Sequence, residues 1–205
     1  MLKTELSVGV IILAAGESRR MGIPKPLLQW EEKTFLEIVL ASPFLSRRNV
    51  HPILILGYKA KQICEKVRIP IPWELNRRFI EGRMSSIQCG LTFLPDLIQG
   101  VFIWPIDCPL VPQSVFAALL EAFHGPDAIC IPRCGPRKGH PPLLGSAFFP
   151  EIQQMQPNQS LRDLYTFHAD QIKTIPVESE RILDNINTPE DFLTWQKRVG
   201  GILPY

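Results

Sequence analysis

The sequence has little excess charge. Its 205 residues carry a net charge of +2, whereas a nucleic-acid-binding domain usually has a pI above about 9 and a basic face. Nucleic acid is therefore not an expected partner. A small net charge still leaves room for a local basic pocket that binds a phosphorylated small molecule.

A long hydrophobic run is also missing. The apolar run Val8–Ala15 is much shorter than the roughly 20 residues that a membrane span needs. It lacks the basic segment and the cleavage context of a secretory signal. We therefore expect a cytoplasmic protein that does not enter the membrane, and we interpret this run as a buried strand.

The five cysteines form no recognisable framework. Their number is odd and their spacing is scattered, in a chain long enough to fold without disulfides. Cys130, Cys134 and His140 lack the paired spacing of a zinc site. We interpret the cysteines as small buried residues in a reducing compartment.

The chain alternates between predicted strands and helices. Val8–Leu13 is an apolar run without polar alternation, which is typical of a strand covered on both faces. The same criteria predict strands at 53–56, 73–75, 101–104, 128–131 and 172–177, and helices at 33–40, 60–67, 85–94, 112–123, 161–167 and 189–199. Residues 133–142 are expected to form a loop rich in proline and glycine. This order predicts a three-layer α/β/α fold with a mainly parallel sheet.

Ligands of open α/β sheets bind beyond the carboxyl ends of the strands, so the loop after the first strand is a candidate site. Gly16 and Gly22 permit tight turns there, and Arg19, Arg20 and Lys25 add positive charge. Neither a Walker A loop nor a dinucleotide fingerprint is present. The loop is either an anion-binding site suited to a triphosphate or a solvated surface turn.

A second candidate follows the strand at 101–104. Asp107 lies just past its end, and Mg²⁺ needs few protein carboxylates because phosphate and water complete its shell. The alternative is that Asp107 caps the following helix.

The first loop resembles the signature Leu-x-x-Gly-x-x-x-Arg-Met-Gly-x-x-Lys-x-Leu of MobA-like NTP transferases, which are nucleotidyltransferases. The matching residues are Leu13, Gly16, Arg20, Met21, Gly22, Lys25 and Leu27. The resemblance implies a Rossmann-like nucleotide-diphospho-sugar transferase (GT-A-like) fold. It also implies that the backbone of Leu13, Ala14, Ala15 and Gly16 wraps a nucleotide. Lys25 and Arg20 would hold its triphosphate, and Asp107 would bind Mg²⁺; these three residues form the expected catalytic set.

Three further segments resemble the molybdenum cofactor cytidylyltransferase branch of this family. Residues 76–86 are similar to its Asn…Gly-Met-Ser-Ser segment, with Arg83 in the place after Gly82. The resemblance implies that Asn76, Gly82, Ser85 and Ser86 bind the nucleotide. Gly139-His140-Pro141 is similar to the Gly-His-Pro of the branch and implies that Gly139 and His140 lie on the acceptor side. For His140, a structural loop histidine is the equal alternative.

The third segment departs from the pattern of the branch. Its Asp-Ile-Asp is replaced by Asn185-Ile186-Asn187, preceded by Asp184. A second metal ligand is expected here, either Asp184 by a shift of one residue or the carbonyl oxygen of Asn185, and Asn187 stays open as well. Whatever the metal does, Thr188 and Pro189 are typical of a helix start.

These resemblances imply one nucleotidyltransferase domain over residues 1–205. Residues 8–131 would form its nucleotide-binding half, and residues 132–199 its acceptor-side and C-terminal elements. The resemblance implies transfer of CMP from CTP to molybdopterin with release of pyrophosphate. CTP is favoured as the donor because Ala15 would crowd a purine more than a pyrimidine. GTP as donor, or a sugar phosphate or an alcohol as acceptor, is the alternative. A non-catalytic chaperone that hands cofactor to a partner molybdoenzyme is another.

Overall fold

Strand β1 (Val8–Ala14) is buried along its whole length, as its apolar sequence predicts. The computed structural model describes residues 6–200, so the outermost residues of the predicted domain, 1–5 and 201–205, lie outside the described part. The other strands are β2 (Gln29–Trp30), β3 (Lys33–Thr34), β4 (Val50–Leu56), β5 (Trp73–Leu75), β6 (Gly100–Pro105), β7 (Ile129–Cys134), β8 (Arg137–Lys138), β9 (Leu143–Gly145) and β10 (Ile172–Pro176). The α-helices are α1 (Phe35–Leu40), α2 (Ala60–Lys66), α3 (Arg83–Thr92), α4 (Gln113–Ala122), α5 (Phe149–Gln154), α6 (Leu161–Phe167) and α7 (Pro189–Val199).

The main sheet has the strand order β10-β7-β9-β6-β1-β4-β5, and β8 pairs with β7. Strand β1 pairs in parallel with β4 on one side and with β6 on the other. Strand β9 is antiparallel to both of its neighbours, β6 and β7. Since β9 reverses direction between them, β6 and β7 run the same way. The carboxyl ends of β1, β4, β6 and β7 therefore meet at one edge of the sheet.

Alternate side chains of β1 enter two separate buried clusters. Ile12 belongs to the cluster that includes residues of α1, α2, α4 and α7. Ile11 and Leu13 belong to the other cluster, which includes residues of α3, α5 and α6. Because side chains of a strand alternate between its faces, these two clusters lie on opposite faces of the sheet. The predicted three-layer α/β/α architecture with a mainly parallel sheet is confirmed.

The structure differs from the sequence-based expectation mainly after β7. The predicted loop at 133–142 contains a short hairpin, since Arg133 and Cys134 of β7 pair with the two residues of β8. Strand β9 and helix α5 were not predicted, because three and six residues are too few to establish a period. Within residues 6–200, no helix is long and apolar enough to span a membrane.

Helix α7 is fixed to the core by one buried carboxylate. The Trp195 ring packs edge-on against Trp30 and Phe35, with centroids 5.2 Å apart in both pairs. Its indole N–H donates a hydrogen bond of 2.7 Å to Asp184 Oδ2, and Arg198 donates to the other oxygen of Asp184. The Asp184 side chain is fully buried. It therefore sets the position of the segment that precedes α7.

We expect Asp184→Ala to lower the free energy of unfolding by about 2–3 kcal/mol, because it leaves the buried indole N–H and the Arg198 guanidinium without their acceptor. Urea denaturation followed by tryptophan fluorescence measures the change. Glu190→Ala, at an exposed position of the same helix, is the control and should shift stability by less than about 0.5 kcal/mol. An equally small shift for Asp184→Ala would contradict this account of α7 docking.

Candidate functional site

A cavity of about 300 Å³ opens where the chain leaves β1 and β6. The two strands stay paired to their ends: Leu13 is in register with Pro105, and the Ile106 N–H donates to Leu13 O at 3.1 Å. The first loop and the loop that carries Asp107 therefore lie side by side. We call it the donor cavity, after the nucleotide site that the sequence predicts here. Its lining residues are Leu13, Ala14, Ala15, Gly16, Ser18, Arg19, Arg20, Lys25, Pro26, Phe79, Gly82, Arg83, Ser86, Pro105, Ile106, Asp107 and Asn187.

Ser18 gives the first loop its shape. It has a φ of +54°, and its carbonyl accepts from the Met21 N–H at 2.9 Å. Its side-chain oxygen accepts from the Lys25 N–H at 3.0 Å. The loop thus closes on Ser18 and presents Lys25 to the cavity. The sequence analysis assigned no role to Ser18. Residues other than glycine seldom adopt a positive φ, so a serine in this loop was only a weak indication of the turn.

Lys25 joins three segments of the chain at the floor of the donor cavity. Its Nζ lies 3.3 Å from Asp107 Oδ2 and donates a hydrogen bond of 2.7 Å to Asn187 Oδ1. The lysine and aspartate side chains are only 12% and 7% exposed. Burial lowers the pKa of Lys25, and Arg83 and Arg20 lower it further, whereas Asp107 opposes the shift.

Positive charge dominates this cavity. Arg19, Arg20, Lys25 and Arg83 line it together with a single carboxylate, that of Asp107. Arg19 pairs with Glu17 at its outer edge, at 2.7 Å. A site with this excess of positive charge attracts a polyanion such as a triphosphate, which guanidinium and ammonium groups bind by charge-assisted hydrogen bonds.

The oxygens of Asp107 and Asn187 lie close together, because both contact the same Lys25 Nζ. A carboxylate and an amide oxygen suit a Mg²⁺ ion that keeps most of its shell from phosphate and water. Within residues 6–200, no group of three or more His, Cys, Asp or Glu side chains forms a metal site. Asp107 and Asn187 fit a metal ion whose remaining ligands come from phosphate and water.

The position of Asp184 does not support the expectation that it is a metal ligand. Its two oxygens accept from Trp195 and Arg198 inside the fold, and the residue of this segment that lines the donor cavity is Asn187. Asn185 is exposed, and its side-chain oxygen accepts from Asn187 Nδ2 at 2.7 Å. Asn185 thus orients the Asn187 amide, whose oxygen points to Lys25.

The predicted nucleotide-binding residues around α3 divide into two groups. Gly82 and Ser86 line the donor cavity. Asn76 and Ser85 are buried behind them: Asn76 Nδ2 donates to Ser85 Oγ at 2.9 Å and to Ser86 Oγ at 3.0 Å. Gly82, the N-cap of α3, has a φ of +116°, which favours glycine. Asn76 and Ser85 therefore support the site from behind.

A second cavity of about 820 Å³ adjoins the first and contains Gly139 and His140. Gly139 must be glycine, because a Cβ there would lie 2.3 Å from Ile182 O. Burial lowers the pKa of His140, which favours the neutral imidazole. Its Nδ1 is buried and has no hydrogen-bond partner among the described residues. Arg83, Lys138, Arg162 and Tyr165 are among its other residues. We call it the acceptor cavity, after the role that the sequence predicts for Gly139 and His140.

The fold and this site are those of a nucleotidyltransferase. Within that class, the model of the MobA-like NTP transferase domain matches residues 10–172, and the chain belongs to this family. The predicted family and enzyme class are confirmed.

Known relatives agree with this assignment. The chain is 25% identical over 206 residues to the molybdenum cofactor cytidylyltransferase of Escherichia coli, which covers 96% of this chain and 99% of the relative. It is 30% identical over 112 residues to a probable molybdenum cofactor guanylyltransferase of Bacillus cereus, or 54% of each chain. A solved structure of a Mycobacterium tuberculosis rv0371c homolog, from Mycobacterium sp. strain JC1, superimposes with a TM-score of 0.81 at 25% identity, covering 94% of this chain and 96% of that one.

Proposed function

We propose that this nucleotidyltransferase transfers CMP from CTP to molybdopterin with release of pyrophosphate, in the presence of Mg²⁺. The observation that carries the proposal is the Lys25 ammonium between Asp107 and Asn187, in a basic cavity that opens into a larger one. The similarity to the E. coli cytidylyltransferase extends over nearly the whole chain, which supports the same donor and acceptor. The compartment that belongs to this proposal is the cytoplasm, which the five free cysteines, each within residues 6–200, support.

The donor cavity would hold CTP with its triphosphate toward Lys25 and Arg20. Ala15 lines this cavity and is only 4% exposed, so its methyl group is fixed. A fixed methyl at the base subsite favours a pyrimidine over a purine, although one such group discriminates by only about 1–3 kcal/mol. GTP is the second candidate donor, because the Bacillus relatives are named as guanylyltransferases.

Asp107 and Asn187 would hold the Mg²⁺ ion, which polarises the α-phosphate when bound. Lys25 contacts both oxygens in the nucleotide-free protein. It would shift onto the triphosphate when the nucleotide brings its own negative charge. Its lowered pKa reflects the cost of holding this ammonium in a buried place. A charge-assisted hydrogen bond to a triphosphate would offset this desolvation cost.

The reaction needs no covalent enzyme intermediate. A phosphate oxygen of molybdopterin attacks the α-phosphorus of CTP and forms a new P–O bond. The bond from the α-phosphorus to the oxygen that bridges the β-phosphate breaks, and pyrophosphate leaves with that electron pair. No proton has to move when the attacking phosphate is ionised. The protein therefore contributes orientation and charge neutralisation.

The acceptor would lie in the second cavity, beside Gly139 and His140. A neutral imidazole has one donor and one acceptor nitrogen. The Nδ1 of His140 is buried and has no hydrogen-bond partner within residues 6–200, so the ring would have to turn before this nitrogen could meet a polar group of the pterin. Lys138 and Arg162 line the same cavity and suit the phosphate end of such an acceptor.

The direct test supplies the protein with Mg²⁺, molybdopterin and either CTP or GTP, and measures pyrophosphate release. We expect turnover with CTP to exceed that with GTP by about tenfold or more, because of the Ala15 methyl. Higher turnover with GTP than with CTP would show that GTP is the donor. No turnover with either nucleotide would contradict the proposed reaction itself.

A second prediction concerns the metal. The donor cavity carries more positive than negative charge, so we expect Mn²⁺, as a probe for Mg²⁺, to bind tightly only together with CTP. Asn187→Asp should raise nucleotide-free Mn²⁺ affinity by about tenfold, since it adds a carboxylate beside Asp107. Electron paramagnetic resonance of free Mn²⁺ measures this, and Asn158→Asp, at an exposed turn, is the control. Tight Mn²⁺ binding to the nucleotide-free wild-type protein would contradict the prediction.

A further inference from the structure

The donor and acceptor cavities meet at three residues, Leu13, Arg83 and Pro105, which line both. Leu13 and Pro105 belong to the ends of the neighbouring strands β1 and β6. Within residues 6–200, Arg83 is therefore the one charged residue that faces both cavities. We infer that Arg83 is a catalytic residue whose guanidinium contacts the α-phosphate of the donor and the phosphate of the acceptor while the bond forms. This inference rests on the proposed function.

The Arg83 side chain is free to take up this position. Its Nη2 lies 3.7 Å from Asp107 Oδ2, which is too long for a good hydrogen bond, and the side chain is 56% exposed. The Asp107 side chain, by contrast, is almost fully buried. The ion pair therefore points the guanidinium at the metal-binding carboxylate without consuming its five N–H donors.

The backbone of Arg83 is held firmly. Arg83 is the first residue of α3, directly after Gly82, which caps the helix. The Ser85 Oγ lies 2.8 Å from Gly82 O, and the buried Asn76 amide binds Ser85 and Ser86. A fixed Cα combined with a half-exposed side chain places the guanidinium at the boundary of the two cavities, both of which Arg83 lines.

The other cations cannot serve both substrates. Arg19, Arg20 and Lys25 line the donor cavity alone, whereas Lys138 and Arg162 line the acceptor cavity alone. The reaction joins two anionic phosphates, so their repulsion is greatest at the boundary where the acceptor oxygen approaches the α-phosphorus. A planar guanidinium can donate to two phosphate oxygens at once. Arg83 is the residue placed to neutralise both groups there.

The test compares Arg83→Met and Arg83→Lys with the wild-type protein and with Arg68→Met, an exposed control on another loop. Pyrophosphate release gives kcat and the KM for molybdopterin, and isothermal titration gives the Kd for Mg²⁺·CTP. We expect Arg83→Met to lower kcat by about 100-fold or more, as for loss of a transition-state donor, with less than a threefold change in the Kd for CTP. Arg83→Lys should retain part of the activity, and Arg68→Met all of it.

The outcomes separate this inference from the proposed function. Absence of turnover in the wild-type protein would overturn both. Normal wild-type turnover with kcat of Arg83→Met within threefold of it, or a loss confined to CTP affinity, would overturn the role of Arg83 alone. If circular dichroism shows that Arg83→Met does not fold, Arg83→Lys provides the test. It should lower kcat by about tenfold, since lysine keeps the charge but lacks the paired N–H donors of arginine. An unchanged kcat for Arg83→Lys would overturn the inference.

Discussion

The site depends on the contact of one ammonium group with two oxygens. Lys25 Nζ touches Asp107 Oδ2 and Asn187 Oδ1, and so joins residues that are 82 and 162 positions away along the chain. A largely buried cation needs such partners, since desolvation is costly unless it is paired and hydrogen-bonded. The loop after β1, the loop after β6 and the segment before α7 are therefore held around one small cavity.

The architecture explains why these segments can meet. Strands β1 and β6 are parallel neighbours that end together, which brings Lys25 and Asp107 to the same edge of the sheet. Asn187 arrives from the far end of the chain because Trp195 and Arg198 of α7 bind the buried Asp184. The Asp184 carboxylate thus holds the segment before α7 in place and so positions Asn187, three residues further along the chain, at the site.

These contacts show which parts of the site could be predicted from sequence. The unbroken apolar run of β1 and the position of Asp107 after β6 are local signals. They predicted that the first loop and the loop that carries Asp107 lie at the carboxyl edge of the sheet. The choice among Asp184, Asn185 and Asn187 depends on packing against α7, which no local pattern encodes. Ser18 and Arg83 were also given no role, because a hydrogen bond within a loop and the boundary between two cavities exist only in three dimensions.

The central claim is that Lys25 binds the triphosphate of the donor nucleotide, and isothermal titration of Mg²⁺·CTP into the Lys25→Met protein tests it most directly. The loss of a hydrogen bond to a charged group predicts a Kd at least about tenfold higher than that of the wild-type protein. Lys66→Met, at an exposed position in the last turn of α2, should bind as the wild type does. An unchanged Kd for a folded Lys25→Met protein would contradict the account.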